Sequence, residues 1–269
     1  MTTRLNMAVA GCAGRMGRQL VRAAHEAGHA LSGGSEAPGS EFLGQDLGPL
    51  AGVEPLDAVA HAGITEAGKG ADVWIDFTIP SATLMALAML PSLGVKAAIV
   101  GTTGFSEAEE AQIATAAERI AIVKAGNYSL GVNLLESLVR QAASRLGEDW
   151  DIEVLETHHN RKIDAPSGTA LMLGEAAAEG RGKSLSALRM GPYDGPDAKR
   201  ERGKIGFSVR RTGSVIGEHE VTLGSEMEIV SLSHTALDRA VFAHGAIKAA
   251  EWAALQPSGL YDMSDVLGV

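Results

Sequence analysis

Residues 7–17 read MAVAGCAGRMG, an apolar run followed by three glycines spaced G-x-x-G-x-x-G. The run from Met7 to Ala10 predicts a buried strand, and the residues that follow Gly17 predict a helix. Glycine in a strand-to-helix turn lets the backbone approach a pyrophosphate, which the N-terminus of the helix then stabilises. The stretch therefore predicts the first strand, turn and helix of a parallel α/β domain that binds a dinucleotide.

An acidic residue farther along supports this interpretation. Glu36 lies 19 residues after Gly17, at the end of a second predicted strand, His29 to Gly33. A carboxylate in this position can accept hydrogen bonds from the hydroxyls of the adenosine ribose. The alternative is a tight strand-to-helix turn without a ligand. Cys12, within the turn, is interpreted as a small residue that fits the packing rather than as a reactive thiol.

The first half of the chain alternates short apolar runs with helical patterns, which predicts a parallel sheet covered on both faces. Further strands are predicted in ADVWIDFT (71–78), KAAIVG (96–101) and IAIVKAG (120–126). Two loops follow such strands, Gly101-Thr102-Thr103-Gly104 and Ala125-Gly126-Asn127-Tyr128. Ligands of open parallel sheets bind beyond the carboxyl ends of the strands, so we expect both loops to border the nicotinamide half of the cofactor.

The pattern changes after Asn127. A long helix (132–146), a strand (151–157) and a helix from about Thr169 precede three strand-like runs joined by short turns, at 205–212, 217–224 and 226–234. Such runs predict an antiparallel or mixed sheet. The prediction is thus a Rossmann-type parallel-sheet dinucleotide-binding domain of residues 1–128 and 236–269, which includes a final helix (236–255), and an α+β substrate-binding and oligomerisation domain of residues 129–235.

Composition limits the classes of function. The 269 residues are 45% hydrophobic and 21% charged, enough for a packed core, and the formal net charge of −10 argues against general binding to nucleic acid. A single cysteine excludes an intrachain disulfide and favours the cytoplasm. The apolar run before Cys12 is too short for a signal peptide, and Pro91 and Lys96 interrupt the most membrane-like segment, Leu84 to Val100. We therefore expect no membrane association.

Most of the titratable chemistry is concentrated in ETHHNRKIDAPSGTA, residues 156–170. At the end of a strand, His158 and His159 should point in different directions, so we expect them to have different functions. A histidine can exchange a proton near neutral pH, and Lys162 together with the helix N-terminus opened by Ser167-Gly168-Thr169 suits a carboxylate. The alternative is surface histidines beside a solvated charge pair. The cluster favours an anionic substrate that is protonated while it is reduced.

Four segments together carry a resemblance to a known family: GxxGRMG, GTTG, E-x-H-H-x-x-K-x-D-x-P-S-G-T-A and SxxHxAxxRxxFAxGAxxAAxW (231–252). Across essentially its whole length the chain resembles the 4-hydroxy-tetrahydrodipicolinate reductase family, also called dihydrodipicolinate reductase. The resemblance implies reduction of a small cyclic dicarboxylate with NADH or NADPH in the diaminopimelate route to lysine. It also implies a homotetramer assembled through the sheet of the second domain.

Carried over by position, the resemblance implies His158 as the proton donor or acceptor and Lys162 as its catalytic partner. It implies His159, Gly168 and Thr169 as substrate ligands and no metal. The implied cofactor contacts are Gly11, Cys12, Ala13, Gly14, Arg15, Met16, Glu36, Gly101, Thr102, Thr103, Ala125, Gly126, Asn127 and Tyr128. Arg210, Arg211 and His219 are additional candidates, equally well interpreted as surface charges on a sheet.

Two other functions remain open from the residues. One is a different two-domain NAD(P)-dependent dehydrogenase, which would share the glycine turn but not residues 156–170. The other is a nicotinamide-nucleotide sensor without turnover. We expect NADH to be favoured over NADPH, because Ala37 follows Glu36 and no lysine or arginine occurs from Ala23 to Gly68, leaving Arg15 and Arg18 as the nearest cations in sequence to offset a 2′-phosphate.

Overall fold

The computed structural model describes residues 3–269; Met1 and Thr2, which the predicted first domain includes, lie outside the described residues. The chain divides into two compact units. The first comprises the chain up to Leu130 and Ala240–Gly268, and the second comprises Gly131–Arg239 with Val269.

The first unit contains a sheet of seven parallel strands in the order β11-β6-β5-β4-β1-β2-β3. Its strands are β1 (Asn6–Ala10), β2 (Ala30–Ser35), β3 (Ala60–His61), β4 (Val73–Asp76), β5 (Ala97–Val100), β6 (Ala121–Lys124) and β11 (Gly259–Tyr261). Its helices are α1 (Arg15–Glu26), α2 (Leu47–Ala51), α3 (Ile64–Gly68), α4 (Pro80–Met89), α5 (Glu107–Ala117), α9 (Ala240–Ala253) and α10 (Met263–Leu267). A 3₁₀ turn, Leu90–Leu93, follows α4.

Alternate residues of the central strands pack into two separate cores. Val9 and Ile75 belong to one hydrophobic cluster, whereas Ala8 and Trp74 belong to the other. Side chains of a strand alternate between its faces, so both faces of this sheet are covered. This explains why β4 and β5 are buried at every position and why their residues other than Asp76 form continuous apolar runs rather than alternating ones.

Local signals start the helices of the first unit. Ser106 and Glu109 form a reciprocal capping box at α5, and Pro80 occupies the first turn of α4. Helix α9 is joined to the start of the sheet through His29, whose Nδ1 accepts from Leu5 N–H at 3.2 Å and whose Nε2 lies 3.1 Å from Glu251 Oε1. A late helix of the chain is thereby fixed to the beginning of the first unit.

The second unit contains a four-stranded mixed sheet in the order β10-β9-β7-β8. β7 pairs in parallel with β8 and antiparallel with β9, which pairs antiparallel with β10. Its strands are β7 (Asp151–His158), β8 (Ile205–Arg211), β9 (Glu218–Gly224) and β10 (Ile229–Thr235), and its helices are α6 (Leu130–Arg145), α7 (Gly168–Gly180) and α8 (Leu185–Leu188). α6 begins one residue before the unit boundary.

The predicted fold class, a parallel Rossmann-type sheet followed by a mixed-sheet α+β unit, is confirmed. Several predicted element boundaries differ from the structure by a few residues, among them those of the second strand and of the last predicted helix. The second strand is Ala30–Ser35 rather than 29–33, so Glu36 follows it directly. The last predicted helix is α9, which begins at Ala240 rather than Ala236, because the Ala236 N–H is hydrogen-bonded to Gly217 O. The sequence analysis did not predict β11 and α10, which follow it.

Candidate active site

A buried carboxylate organises the second unit at the end of β7. Glu156 is 1% exposed and accepts hydrogen bonds from four donors: His158 Nδ1 at 2.6 Å, Arg211 Nη1 at 2.7 Å, Arg211 Nη2 at 2.8 Å and Ser167 N–H at 2.9 Å. Burial alone would raise the pKa of Glu156, but these donors outweigh it and hold the pKa below its usual range. The carboxylate is therefore ionised at neutral pH.

The ionised carboxylate determines which nitrogen of His158 is free. Glu156 and His158 are two residues apart in β7 and lie on the same face of the strand. Because an ionised carboxylate only accepts hydrogen bonds, Nδ1 of His158 must carry the hydrogen of their shared bond. Nε2 is then the ring atom available for proton exchange. Gly217 lies beside it, and a Cβ there would come within 3.2 Å of Nε2.

A second histidine, His219, packs against this cluster. It is 5% exposed, its ring centroid lies 5.1 Å from that of His158 in an edge-on arrangement, and its Nε2 lies 3.1 Å from Ser167 Oγ. Burial, followed by the nearby His158, lowers the pKa of His219 to about 4. His219 is therefore neutral at pH 7 and supports the cluster by packing and by its contact with Ser167.

His159 and Lys162 lie in the turn after β7. His159 N–H donates to Val215 O at 2.7 Å, and Lys162 Nζ is 2.8 Å from Asp164 Oδ1. Burial, followed by the charge of Arg161, lowers the pKa of His159, which keeps the ring neutral at pH 7. Arg211 Nη2 also donates to Asp164 O at 2.7 Å, so the residue that holds Glu156 also holds this turn.

The N-terminus of α7 follows the turn. Ser167 is its N-cap, with Oγ accepting from Ala170 N–H at 3.2 Å, and a cis peptide bond joins Ala165 to Pro166 just before it. Gly168 is exposed, and a Cβ there would meet nothing within 4 Å. The positive end of a 13-residue helix thus opens toward free space, as an anion site requires, and it begins four residues after Asp164, the ion-pair partner of Lys162.

In the first unit, the glycine turn has the shape that a pyrophosphate needs. Gly11 has φ +60°, and a Cβ on Gly17 would lie 2.1 Å from Gly11 O, so α1 can approach the turn only with glycine there. Gly14 is the N-cap of α1, and no side chain caps this helix end. The leading N–H groups of α1 are therefore left for an anion. These residues fit a dinucleotide.

The peptide of Ala13 lies between two oppositely charged side chains. Its N–H donates to Glu36 Oε1 at 2.7 Å, and its carbonyl accepts from Arg18 Nε at 2.7 Å. The guanidinium of Arg18 also lies over the ring of Phe42, 5.2 Å from the centroid. Glu36 and Arg18 are thus both held at the position predicted for the adenosine ribose.

Four residues predicted as cofactor contacts are buried: Cys12 (1% exposed), Ala13 (8%), Thr102 (4%) and Tyr128 (1%). Burial and the charge of Glu36 raise the pKa of the Cys12 thiol to about 12, which leaves it neutral. The Tyr128 hydroxyl lies within hydrogen-bond distance of two backbone carbonyls, at 2.8 and 3.0 Å. Their side chains serve packing and internal hydrogen bonds, so a cofactor would meet the backbone at these positions.

The loops after β5 and β6 lie close together. A Cβ on Gly126 would lie 4.0 Å from Thr103 Cγ2, and Thr103 and Gly126 are both exposed. A Cβ on Gly101 would lie 2.2 Å from the Phe77 ring, which explains the glycine. Exposed positions for a ligand at this edge are therefore Thr103 and Gly126, with half-buried Ala125 and Asn127 beside them.

The sequence analysis did not identify Glu156 as the centre of the site. It left Arg211 with two interpretations, a site residue or a surface charge. The signal for Glu156 was available, because residues i and i+2 of a strand share a face and His158 had been singled out.

Within residues 3–269, no group of three or more His, Cys, Asp and Glu side chains is arranged to hold a metal ion, and no helix is long and apolar enough to span a bilayer.

A parallel sheet with a glycine turn shaped for a dinucleotide, joined to a unit with a buried Glu-His pair, defines a nucleotide-dependent oxidoreductase. Two family models match the chain: "Dihydrodipicolinate reductase, N-terminus" over residues 5–128 and "Dihydrodipicolinate reductase, C-terminus" over residues 131–267. The chain belongs to the dihydrodipicolinate reductase family.

Relatives named 4-hydroxy-tetrahydrodipicolinate reductase match the chain over its length. The protein from Parvibaculum lavamentivorans is 50% identical over 271 residues, 100% of both chains, and that from Allorhizobium ampelinum is 51% identical over 98% of both. A solved structure, the dipicolinate-bound dihydrodipicolinate reductase of Paenisporosarcina sp. TG-14, has a TM-score of 0.75 at 21% identity and covers 97% of this chain and 98% of that one. At that identity the structural match shows the fold.

The lowered pKa of His219 predicts a pH dependence of stability. Its pKa is near 6.5 when unfolded and about 4 when folded, so its contribution is complete above about pH 6.5 and is lost as the pH falls toward 4. The unfolding free energy of the wild type should fall when the pH is lowered from about 7.5 to about 4.5. In His219→Gln this fall should be smaller by about 2 kcal/mol. Urea denaturation at both pH values measures this. The exposed His244→Gln is the control, and equal losses in all three proteins would contradict the assignment.

Proposed function

We propose that this chain catalyses the NAD(P)H-dependent reduction of 4-hydroxy-tetrahydrodipicolinate to tetrahydrodipicolinate in the diaminopimelate route to lysine. Overall, a ring hydroxyl is replaced by hydrogen and water is released, which consumes one hydride and one proton. Full-length relatives near 50% identity carry the name of this activity. The observation in the structure that carries the proposal is the Glu156–His158 pair, which leaves one histidine nitrogen free for a proton.

The proton is assigned to His158. When bound, the reduced nicotinamide supplies the hydride. The Nε2 atom of His158 delivers the proton, while the bond from Nδ1 to Glu156 keeps the ring in one orientation. Lys162 is proposed as the catalytic partner of His158. It would have to exchange its ion pair with Asp164 for a contact with the substrate.

The substrate carboxylates require cations or N–H donors. We propose that His159, Gly168 and Thr169 bind one carboxylate, with the N-terminus of α7 supplying the positive end of its dipole. Gly168 faces open space, so its N–H can be reached by a ligand. Dipicolinate, the compound named with the Paenisporosarcina structure, is a dicarboxylate of the same kind.

Replacing the two proposed catalytic residues separates chemistry from cofactor binding. We expect His158→Ala and Lys162→Ala to lower kcat by roughly 10²–10⁴, the usual contribution of a positioned acid or base. The Kd for NADH should change little, because neither residue belongs to the nucleotide-binding unit. Loss of NADH absorbance with freshly generated substrate measures kcat, and fluorescence titration measures the Kd.

Exposed residues of the same types are the controls. Lys183→Ala removes a lysine in a surface ion pair with Glu148, and His244→Ala removes a histidine that is 53% exposed. Both should retain the wild-type kcat. A His158 or Lys162 variant that loses NADH binding but keeps its kcat would contradict the assignment. A wild-type chain that binds NADH without any turnover would instead support the nucleotide sensor.

The geometry around Ala13 bears on cofactor preference. A 2′-phosphate would meet the carboxylate of Glu36, and Ala37 follows Glu36 where a cation would be needed. Arg18 is the nearby cation, but its Nε is bonded to Ala13 O and its guanidinium covers Phe42. We therefore propose that both cofactors are used, with NADH favoured.

The expected preference is modest. An exposed charge contact is worth on the order of 1 kcal/mol, so kcat/KM should favour NADH over NADPH by about fivefold to tenfold. Steady-state kinetics with both cofactors at one ionic strength measures the ratio. Arg18→Gln should lower kcat/KM more for NADPH than for NADH, because the bond to Ala13 O serves both cofactors and the positive charge favours only the 2′-phosphate. Arg15→Gln tests the exposed arginine of the same turn. A clear preference for NADPH in the wild type would show that these arginines outweigh Glu36.

The proposal also covers the assembly of the chain through its mixed sheet and its place in the cell. The face of the mixed sheet opposite α7 carries Ser208, Arg210, Glu220 and Ser231, and Ile229 on the same face is 69% exposed. We propose that a homotetramer forms through this sheet and that the enzyme works in the cytoplasm, where a single free cysteine stays reduced.

A further inference from the structure

A second buried carboxylate lies in the first unit, outside the residues discussed so far. Asp76 is the last residue of β4 and is 1% exposed. Five polar atoms lie within hydrogen-bond distance of its carboxylate: Thr78 Oγ1 at 2.6 Å, Thr83 Oγ1 at 3.0 Å, Thr78 N at 3.1 Å, Trp74 Nε1 at 3.2 Å and Thr102 Oγ1 at 3.3 Å. Burying a carboxylate without such donors costs free energy. The carboxylate and its donors therefore depend on one another for stability.

The network joins two loops that follow neighbouring strands. Thr78 follows β4, and Thr102 follows β5, which pairs with β4 in parallel. The two loops are also bonded directly, since Thr78 N–H donates to Thr102 Oγ1 at 3.0 Å. Thr83, on α4, adds a third connection through Thr102 Oγ1 at 2.8 Å. The carboxylate therefore fixes these loops relative to each other at the carboxyl edge of the sheet.

The outer surface of the same loops faces the predicted ligand edge. Thr102 directs its hydroxyl inward, whereas its neighbour Thr103 is exposed. Thr78 also approaches the glycine turn, because a Cβ on Gly11 would lie 3.0 Å from Thr78 Cγ2. A shift of Asp76 would thus move the backbone at the predicted nicotinamide edge, whereas the bond between Ala13 N–H and Glu36 involves no residue of this network.

We infer that Asp76 is a positioning residue for the nicotinamide half of the cofactor, acting through Thr78 and Thr102. The inference rests on the proposed function for the identity of the ligand. It assigns Asp76 no contact with the ligand. Its effect is to hold the peptide groups of residues 101–103 where the nicotinamide ring is received, and a displacement of about 1 Å at such a position is costly for binding and reaction.

Two ligands separate positioning from general stability. NADH contains the nicotinamide ring, whereas ADP-ribose keeps the adenosine, the diphosphate and the second ribose and lacks only that ring. Asp76→Asn keeps the shape of the side chain but replaces one acceptor oxygen with an NH₂ group. This group is itself a donor and cannot accept the hydrogen bonds of the surrounding donors. We expect the Kd for NADH to rise about tenfold, the equivalent of one lost hydrogen bond to a charged group, while the Kd for ADP-ribose changes less than about twofold. Isothermal titration calorimetry measures both.

A milder variant covers the case in which Asp76→Asn does not fold. Thr78→Val keeps the methyl group beside Gly11 and removes the hydroxyl, and it should raise the Kd for NADH about fivefold without affecting ADP-ribose. Ile113→Ala, a buried change on α5, is the stability control. It should lower the Tm and leave the ratio of the two Kd values unchanged.

The outcomes distinguish this inference from the proposed function. Equal effects on NADH and ADP-ribose, or no effect on either, in the folded variants would overturn the role of Asp76. A wild-type chain that binds NADH no more tightly than ADP-ribose would overturn it as well. Absence of turnover in the wild type, with the difference between the ligands intact, would remove the proposed reaction and leave the role of Asp76 standing.

Discussion

The ionised carboxylate of Glu156 is the interaction on which the second unit depends. A charge that is 1% exposed is stable only if donors surround it, and the donors here come from β7, β8 and the start of α7. Arg211, which makes two of these bonds, also holds Asp164 O in the turn that carries Lys162. One buried charge thus fixes His158, the proposed substrate turn and the helix N-terminus together.

In the first unit, hydrogen-bonded carboxylates likewise hold loops in place, at the carboxyl edge of the parallel sheet. Asp76 is buried at the end of β4 and joins loops after two adjacent strands, while Glu36 is bonded to Ala13 N–H in the glycine turn. Because the strands are parallel, their carboxyl ends meet at one edge, where short polar loops need internal hydrogen bonds to keep a defined shape. Asp76, the last residue of β4, and Glu36, which directly follows β2, supply those bonds.

The fold class was predictable because apolar runs and helical patterns alternate on a scale that one sequence reveals. The hydrogen bonds of the site were harder to predict than the fold. Glu156 bonds to Arg211, 55 residues away, and to Ser167, 11 residues away, and the spacing of residues along a chain does not reveal such pairs. Thr102 and Tyr128 follow strands as predicted, yet their side chains are buried, since polar groups in tight loops bond first to their own loop or sheet. Helix α9 starts late because Ala236 bonds Gly217 instead.

The central claim is that Glu156 sets His158 with hydrogen on Nδ1 and leaves Nε2 as the atom that exchanges the proton. ¹⁵N NMR of histidine-labelled protein at about pH 9, where imidazoles are neutral, tests it most directly, with His158→Asn identifying the signals. The account predicts a protonated Nδ1 and a bare Nε2 in the wild type, and loss of this preference in Glu156→Gln. Hydrogen on Nε2, with a bare Nδ1 facing the carboxylate, would contradict it.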